Sequence, residues 1–266
     1  MNWIRIYTLV AVSACLALAA CATQQQTDDA ALKSQSSTSG DESGDRTRAR
    51  IHTELAASYY DLGNMPVALE EVREALRADS SYGPAHNVAG LVYGRLKEDR
   101  MAEESFRRAL AISPTDYNAH NNYGLFLCDR KREREAIEHF LAAVRNPLYS
   151  FPDRSYVNAG VCARRGGDVK AAEGYFQDAL KIRPNQPQAL YQMADLAYAR
   201  GDLLGARGNL NRVTQLVQAN AEVLWLGLRV ERQLGDRNAE ASYALQLRNR
   251  FPDSPEARLL AAGKFE

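Results

Sequence analysis

From about residue 49 onward, apolar and small residues recur three and four apart in short segments broken by polar turns, the spacing of amphipathic helices. A longer period of 34 residues lies over this short one. With one unit taken as 83–116, Gly90 and Gly124 fall at position 8, and Gly160 falls there after a two-residue insertion. Position 20 carries Ala68, Ala102, Ala136, Ala172 and Ala206. Position 24 carries Phe106, Phe140 and Phe176, flanked by Val72 and Leu210 in the outer units, and position 27 carries Ala75, Ala109, Ala143 and Ala179. Small residues at these points let two helices of a hairpin cross closely, and the aromatic fills the space they leave. Pro114, Pro184 and Pro252 at position 32 stop the second helix, since a proline ring cannot continue the hydrogen-bond ladder. Gly63, Gly167, Gly201 and Gly235 mark the turn between helices, at position 15, where a positive φ costs a glycine least.

These residues resemble the tetratricopeptide repeat. The reading is an all-α tetratricopeptide-repeat superhelix of six helix-turn-helix units, at 49–82, 83–116, 117–150, 153–186, 187–220 and 221–254. The two terminal units are degenerate, the last with Glu240 at position 20 and Ala244 at position 24, and a capping helix over 255–266 closes the stack. Such a solenoid grows by addition and needs no single large core.

Composition and charge change the picture mainly at the N-terminus. The 33 basic and 33 acidic residues balance, which gives no reason to expect a nucleic-acid partner. Residues 1–20 read as a bacterial lipoprotein signal peptide: Arg5 is followed by an apolar stretch, Ile6 to Leu18, too short for a membrane span, and then by Leu18-Ala19-Ala20-Cys21, which matches a lipobox. A rival lipobox ending at Cys15 would leave an apolar tail after cleavage, so Cys21 is the expected lipidation site. The absence of Asp after it (Ala22 follows) resembles lipoproteins sorted to the outer membrane, so the expected location is lipid-anchored on the periplasmic face of that membrane. Each buried CH₂ of an acyl chain would contribute about 0.8 kcal/mol. Residues 21–48 are then a lipidated N-terminus and a tether rich in Gln, Ser, Thr, Asp and Gly, with a typical reach of about 28 Å.

The candidate chemistry is sparse. Cys128 and Cys162 would remain in an oxidising compartment, both on first helices of adjacent units; a disulfide is expected, with two buried free thiols as the bland alternative. His52, His86 and His120 are 34 residues apart, but the repeat explains that spacing, and equivalent positions ~10 Å apart lie beyond one metal ion. No metal site and no cofactor is expected, and His139 is assigned to a solvated face. No GxxxxGK[ST], GxSxG, HExxH or paired CxxC is present, so no enzyme is expected. Glu70, Glu71, Arg107 and Arg108 are read as solvated convex surface.

First-helix positions 2, 5, 6, 9, 12 and 13 line the concave groove of such stacks. They select Tyr60, Asn87, Leu91, Asn121, Asn122, Leu125, Asn158 and Val161 as a partner-binding groove, with Arg154, Arg164 and Arg165 further along. Asparagine amides pair with a ligand backbone, and Tyr60, Leu91 and Leu125 supply apolar anchors. The alternative is that these side chains only pack repeat against repeat. Thr53 and Ala57 stand where chaperone-binding relatives carry the first Lys and Asn of a carboxylate clamp, so recognition of a free C-terminus is not expected.

A closer resemblance lies in the third and fourth units. Asn121-Asn122-Tyr123-Gly124-Leu125-Phe126-Leu127, Asn146-Pro147-Leu148-Tyr149 with Pro152, and Asn158-Ala159-Gly160 are similar to segments of the type IV pilus biogenesis lipoproteins of the PilF/PilW type. Gln192-Met193-Ala194-Asp195-Leu196 and Ala241-Ser242-Tyr243-Ala244-Leu245-Gln246-Leu247 before Phe251-Pro252 fit as well. That resemblance implies a pilotin-like role: binding the secretin of the pilus machine, and other pilus assembly proteins, to promote secretin localisation and multimerisation, or else stabilising the fibre. The competing expectation is a scaffold of another envelope machine, for outer-membrane protein insertion or peptidoglycan synthesis.

Overall fold

The computed structural model describes residues 43–265, and every regular element among them is an α-helix. Six hairpins follow one another: α1 (Gly44–Asp61) with α2 (Met65–Ala78), α3 (Gly83–Arg95) with α4 (Asp99–Ile112), and α5 (Tyr117–Asp129) with α6 (Glu133–Val144). Then come α7 (Pro152–Arg165) with α8 (Val169–Ile182), α9 (Pro187–Ala199) with α10 (Leu203–Leu216), and α11 (Ala221–Leu234) with α12 (Arg237–Arg250). A short α13 (Pro255–Ala261) closes the stack against α11 and α12. Each first helix packs on its own second helix and beside the first helix of the next repeat. The chain is therefore a tetratricopeptide-repeat superhelix. Among the described residues no helix is long and apolar enough to cross a membrane.

The hairpins close on one contact. A Cβ built on Gly90 would lie 2.6 Å from the Phe106 ring, and one on Gly124 2.7 Å from Phe140. Gly160 stands in the same relation to Phe176, and all three rings are fully buried. Position 8 is glycine because the ring of position 24 rests directly on the first helix's backbone. Alanines at positions 20 and 27 are buried around it. The apolar interior is a series of local clusters rather than one core, as stacked units dictate. Val72 and Val92 centre the first, Phe106, Leu127 and Phe140 a middle one, and Leu190, Leu210, Leu228 and Leu247 the last.

Turn chemistry repeats with the packing. Position 15 has a positive φ in all six hairpins, at Gly63, Gly167, Gly201 and Gly235 as the sequence indicates, but also at Lys97 (φ 66°) and Lys131 (φ 59°). Side chains of Asp116, Asp168, Asp202, Asn220 and Asp236 cap the helices that follow them by accepting backbone N–H bonds.

Two expectations need correction. The tether does not run to residue 48, because α1 already begins at Gly44. Ser43 Oγ accepts from Arg46 N, and Arg46 is pinned to Asp79 at 2.6 Å and lies over the Tyr82 ring. Polar residues extend the helix because they are capped and tied to the end of α2. In the sixth unit, Tyr243 and not Ala244 takes the aromatic place: a Cβ on Gly227 would meet the Tyr243 ring at 2.7 Å. Gly227 and Tyr243 are 16 apart, as are Gly90 and Phe106, whereas Gly235 follows Gly227 by eight residues and Gly167 follows Gly160 by seven. Aligning the unit on its turn glycine therefore misplaces its packing pair by one.

The cap is held by Phe265, which stacks on Trp225 at 5.8 Å, lies under the Arg232 guanidinium at 3.8 Å, and accepts from Arg229 Nε through its carbonyl.

Gly160→Ala is expected to destabilise the protein by about 1–3 kcal/mol through overpacking against Phe176. Adding Phe176→Leu should recover part of that loss; urea unfolding of the two single variants and the double variant measures it, and simple additivity would contradict the contact.

Candidate partner-binding groove

The first helices α1, α3, α5 and α7 bring the groove positions onto one face. The asparagines form a ladder between neighbouring repeats. Asn122 Nδ2 donates to Asn87 Oδ1 at 3.1 Å, and Asn158 Nδ2 donates to Asn121 Oδ1 at 3.1 Å. Ser155 Oγ also donates to Asn121 Oδ1, at 3.0 Å. Each pair thus spends one amide N–H and one carbonyl on stacking. Asn122 Oδ1, Asn121 Nδ2 and Asn158 Oδ1 take no part in those bonds, and their three residues are partly exposed, whereas Asn87 is buried. Packing and ligand pairing are not alternatives at Asn121, Asn122 and Asn158: the same amides can serve both.

The predicted residues separate into two hollows. Tyr60, Leu91, Asn122 and Leu125 line a cavity of about 270 Å³ across the first three repeats. Its rim adds Arg95, whose guanidinium lies over the Tyr60 ring, and Arg130, which lies over Phe126 and pairs with Asp99. Leu125 is 41 % exposed, the apolar side chain most open in this hollow. Asn121 and Asn158 line a second and larger cavity, about 630 Å³, across the third to fifth repeats. Asn87 and Val161 line neither; Asn87 is buried beneath Asn122, and Val161 packs against the fourth-repeat core.

The two-residue insertion shapes the second hollow. Asn146 Nδ2 donates to the Thr115 carbonyl and its Oδ1 accepts from Leu148 N, which lifts Leu148, Tyr149 and Phe151 out of the hairpin line. Tyr149 stacks on Tyr117 at 4.9 Å. Phe151 stands 42 % exposed under the Arg154 guanidinium. Asn118, Arg183, Gln186 and Gln188 complete the wall. Asn118 was legible, lying three residues before Asn121 on the same helical face. Arg183 and Gln186 follow a second helix, so no rule for first-helix positions finds them.

Cys128 on α5 and Cys162 on α7 are joined by a disulfide with Cα atoms 5.8 Å apart. The bond staples the third and fourth repeats where the insertion interrupts the period. Reduction is expected to cost about 3–4 kcal/mol of stability for the loop enclosed, read as a lower urea midpoint in dithiothreitol. Two free thiols in non-reducing mass spectrometry of the mature protein would contradict the pairing.

The histidines serve local structure. His52 Nδ1 donates to Glu71 Oε2 at 2.6 Å, which takes Glu71 off the solvated convex face to which the sequence assigned it. His86 and His120 each bond a loop carbonyl, Ser80 and Pro114. Among the described residues no group of three or more His, Cys, Asp or Glu is arranged for a metal ion. His139 is also corrected: it is half-buried, not solvated, with its ring 4.5 Å from Tyr123. The Pro114 carbonyl only accepts, so His120 Nε2 donates to it, and the Nδ1 atoms of His120 and His139 share a hydrogen bond at 2.9 Å.

Burial, then the neighbouring His120, pulls the His139 pKa down to about 4; Glu135 opposes and Arg132 assists. The unfolded chain, with an ordinary value near 6.5, takes up that proton first, so stability is full above pH 6.5 and is lost as the pH falls toward 4. About 1–2 kcal/mol should disappear between pH 7 and pH 4.5 after solvent screening. His139→Gln, whose amide can still hydrogen-bond His120, should flatten that part of the urea-midpoint profile.

Further along, Arg164 is held by Asp195 and Gln192, and Arg165 by Asp129 at 3.0 Å. Thr53 is buried and donates to the Ala49 carbonyl at 2.7 Å, so it offers nothing to a clamp. Cys21 lies outside the described residues.

The groove and its repeats define a class, the tetratricopeptide-repeat proteins that hold partners on a concave face. The tetratricopeptide repeat model matches residues 53–117, 100–150 and 134–187. The type IV pilus assembly protein PilF of Pseudomonas aeruginosa is 34% identical over 220 residues, 82% of this chain and 87% of that protein. The solved structure of P. aeruginosa PilF superposes with a TM-score of 0.74 at 32% identity, covering 83% of this chain and all (100%) of that one. The crystal structure of PilW, a widely conserved type IV pilus biogenesis factor, superposes with a TM-score of 0.71 at 32% identity, covering 80% and 98%. This chain belongs to the PilF/PilW family of tetratricopeptide-repeat proteins.

Proposed function

We propose that this chain is a lipid-anchored protein of the outer membrane, facing the periplasm, that promotes type IV pilus biogenesis by holding the secretin in its groove. The observation that carries the reading is the likeness to PilF and PilW over the repeat stack, together with partly exposed groove amides whose stacking bonds leave donors and acceptors unused. The action is binding rather than catalysis. Acyl chains on Cys21 hold the domain at the membrane, and the groove retains secretin protomers. Held there, protomers meet at an effective concentration far above their bulk value, which favours ring assembly.

Cys21→Ala is expected to move the protein from the membrane fraction to the soluble periplasm and to lower secretin multimers roughly tenfold or more. Normal multimers in that variant, on a gel that resolves ring from monomer, would overturn the mechanism. Deleting the gene with the same gel and a count of surface pili separates two roles. Loss of both supports secretin assembly; intact rings with missing fibres assign the protein to fibre stability instead.

A further inference from the structure

The larger hollow, at the junction of the third and fourth repeats, differs from the smaller one beside it, where Arg95, Lys97, Arg130 and Asp129 surround the apolar side chains. Its charged lining residues are Arg154 and Arg183, and no carboxylate faces it. Arg154 forms no ion pair; its guanidinium sits 4.5 Å over the Phe151 ring, which fixes its direction and leaves its charge unneutralised. Arg183 reaches Asp153 Oδ2 at 3.4 Å, but Asp153 is 1 % exposed and already accepts from Gln186 Nε2 at 3.0 Å, while the Arg183 side chain is 44 % exposed. Much of that guanidinium therefore faces the hollow. Of the other arginines on the groove face, Arg164, Arg165 and Arg130 are neutralised by Asp195, Asp129 and Asp99, while Arg95 lies over the Tyr60 ring in the smaller hollow, which Asp129 also lines.

The same hollow is lined by the amide pair, whose stacking bond leaves Asn121 Nδ2 as donor and Asn158 Oδ1 as acceptor. A donor beside an acceptor matches the C=O and N–H of an extended peptide unit. The insertion supplies the ring that carries Arg154, so the feature that breaks the repeat also builds this wall.

We infer that this hollow is a subsite for an acidic, extended peptide segment of the partner: an Asp or Glu side chain pairs with Arg154 and Arg183 while its main chain lies on Asn121 and Asn158. The inference rests on the groove reading above and adds the charge of the bound segment to it. The smaller hollow, whose apolar side chains are Tyr60, Leu91 and Leu125, shares α5 with this one, so the segment carries apolar residues on one side of its acidic position.

The test uses the full chain, purified in detergent, on an array of random-sequence peptides with amidated C-termini, alongside Arg154→Gln and the double variant Arg154→Gln/Arg183→Gln. Peptides retained by the wild type should be enriched in Asp and Glu, and the tightest of them should bind about tenfold or more weakly to the double variant, the scale of one lost charge-assisted hydrogen bond. Raising the salt should weaken wild-type binding more than variant binding. Arg154→Gln alone removes no ion pair and should keep the wild-type urea midpoint, so its weaker binding cannot be unfolding. Peptides retained for apolar residues without an acidic bias, or an acidic bias unchanged in the variants, would overturn the subsite and leave the groove standing. An acidic preference seen only with free C-termini overturns it too, and retention of no peptide sinks the groove reading and this inference together.

Discussion

An aromatic ring seated on bare helix backbone fixes this molecule. Phe106 on Gly90, Phe140 on Gly124 and Phe176 on Gly160 set how close the two helices of a hairpin stand. Any side chain at the glycine would force the hairpin open. Because the contact recurs, the hairpins share one shape and successive first helices lie side by side. Everything of functional interest follows from that alignment. It places Asn87 against Asn122 and Asn121 against Asn158, and brings Cys128 within bonding distance of Cys162.

The groove divides its side chains between holding the stack and facing outward. An asparagine has more hydrogen-bonding capacity than one neighbour consumes, so a ladder of them stabilises the repeat junctions and still presents donors and acceptors. Leucine or tyrosine at other rungs supplies apolar area instead. The result is a face with two regions, one toward the first repeats with apolar side chains and charges of both signs, the other toward the fourth with arginines and no carboxylate, joined along α5 by Asn118, Asn121, Asn122 and Leu125. The disulfide holds α5 against α7, the helices that carry Asn121, Asn158 and Arg154 of the second region.

Much of this was readable in the residues, because the fold is set by a short list of sterically obligatory positions. Gly90, Phe106 and Ala109 admit few alternatives, and the cysteines share adjacent first helices. What escaped the sequence was set by partners distant in the chain. The first turn of α1 carries no apolar pattern and exists because Arg46 meets Asp79. Tyr243 was misread because turn and packing registers differ by one in the last repeat, and only the ring's position over Gly227 reveals it. His139 looked like surface because its burial comes from Tyr123 and His120 on the neighbouring helix. Arg183 and Gln186 enter the hollow only because the insertion moves a loop across from them. The lipid anchor is a reading of local sequence alone and lies beyond the described residues.

The staple between the third and fourth repeats has a mechanical meaning. In a solenoid each unit leans only on its neighbours, so fraying starts at the two free ends and travels inward. The bond from Cys128 to Cys162 stands near the middle of that path. It makes a locked waist with a shoulder of repeats on either side, each able to breathe without loosening the other. A protein of this build can yield at its rims to fit a large, multi-subunit partner while the centre of its grip keeps its shape.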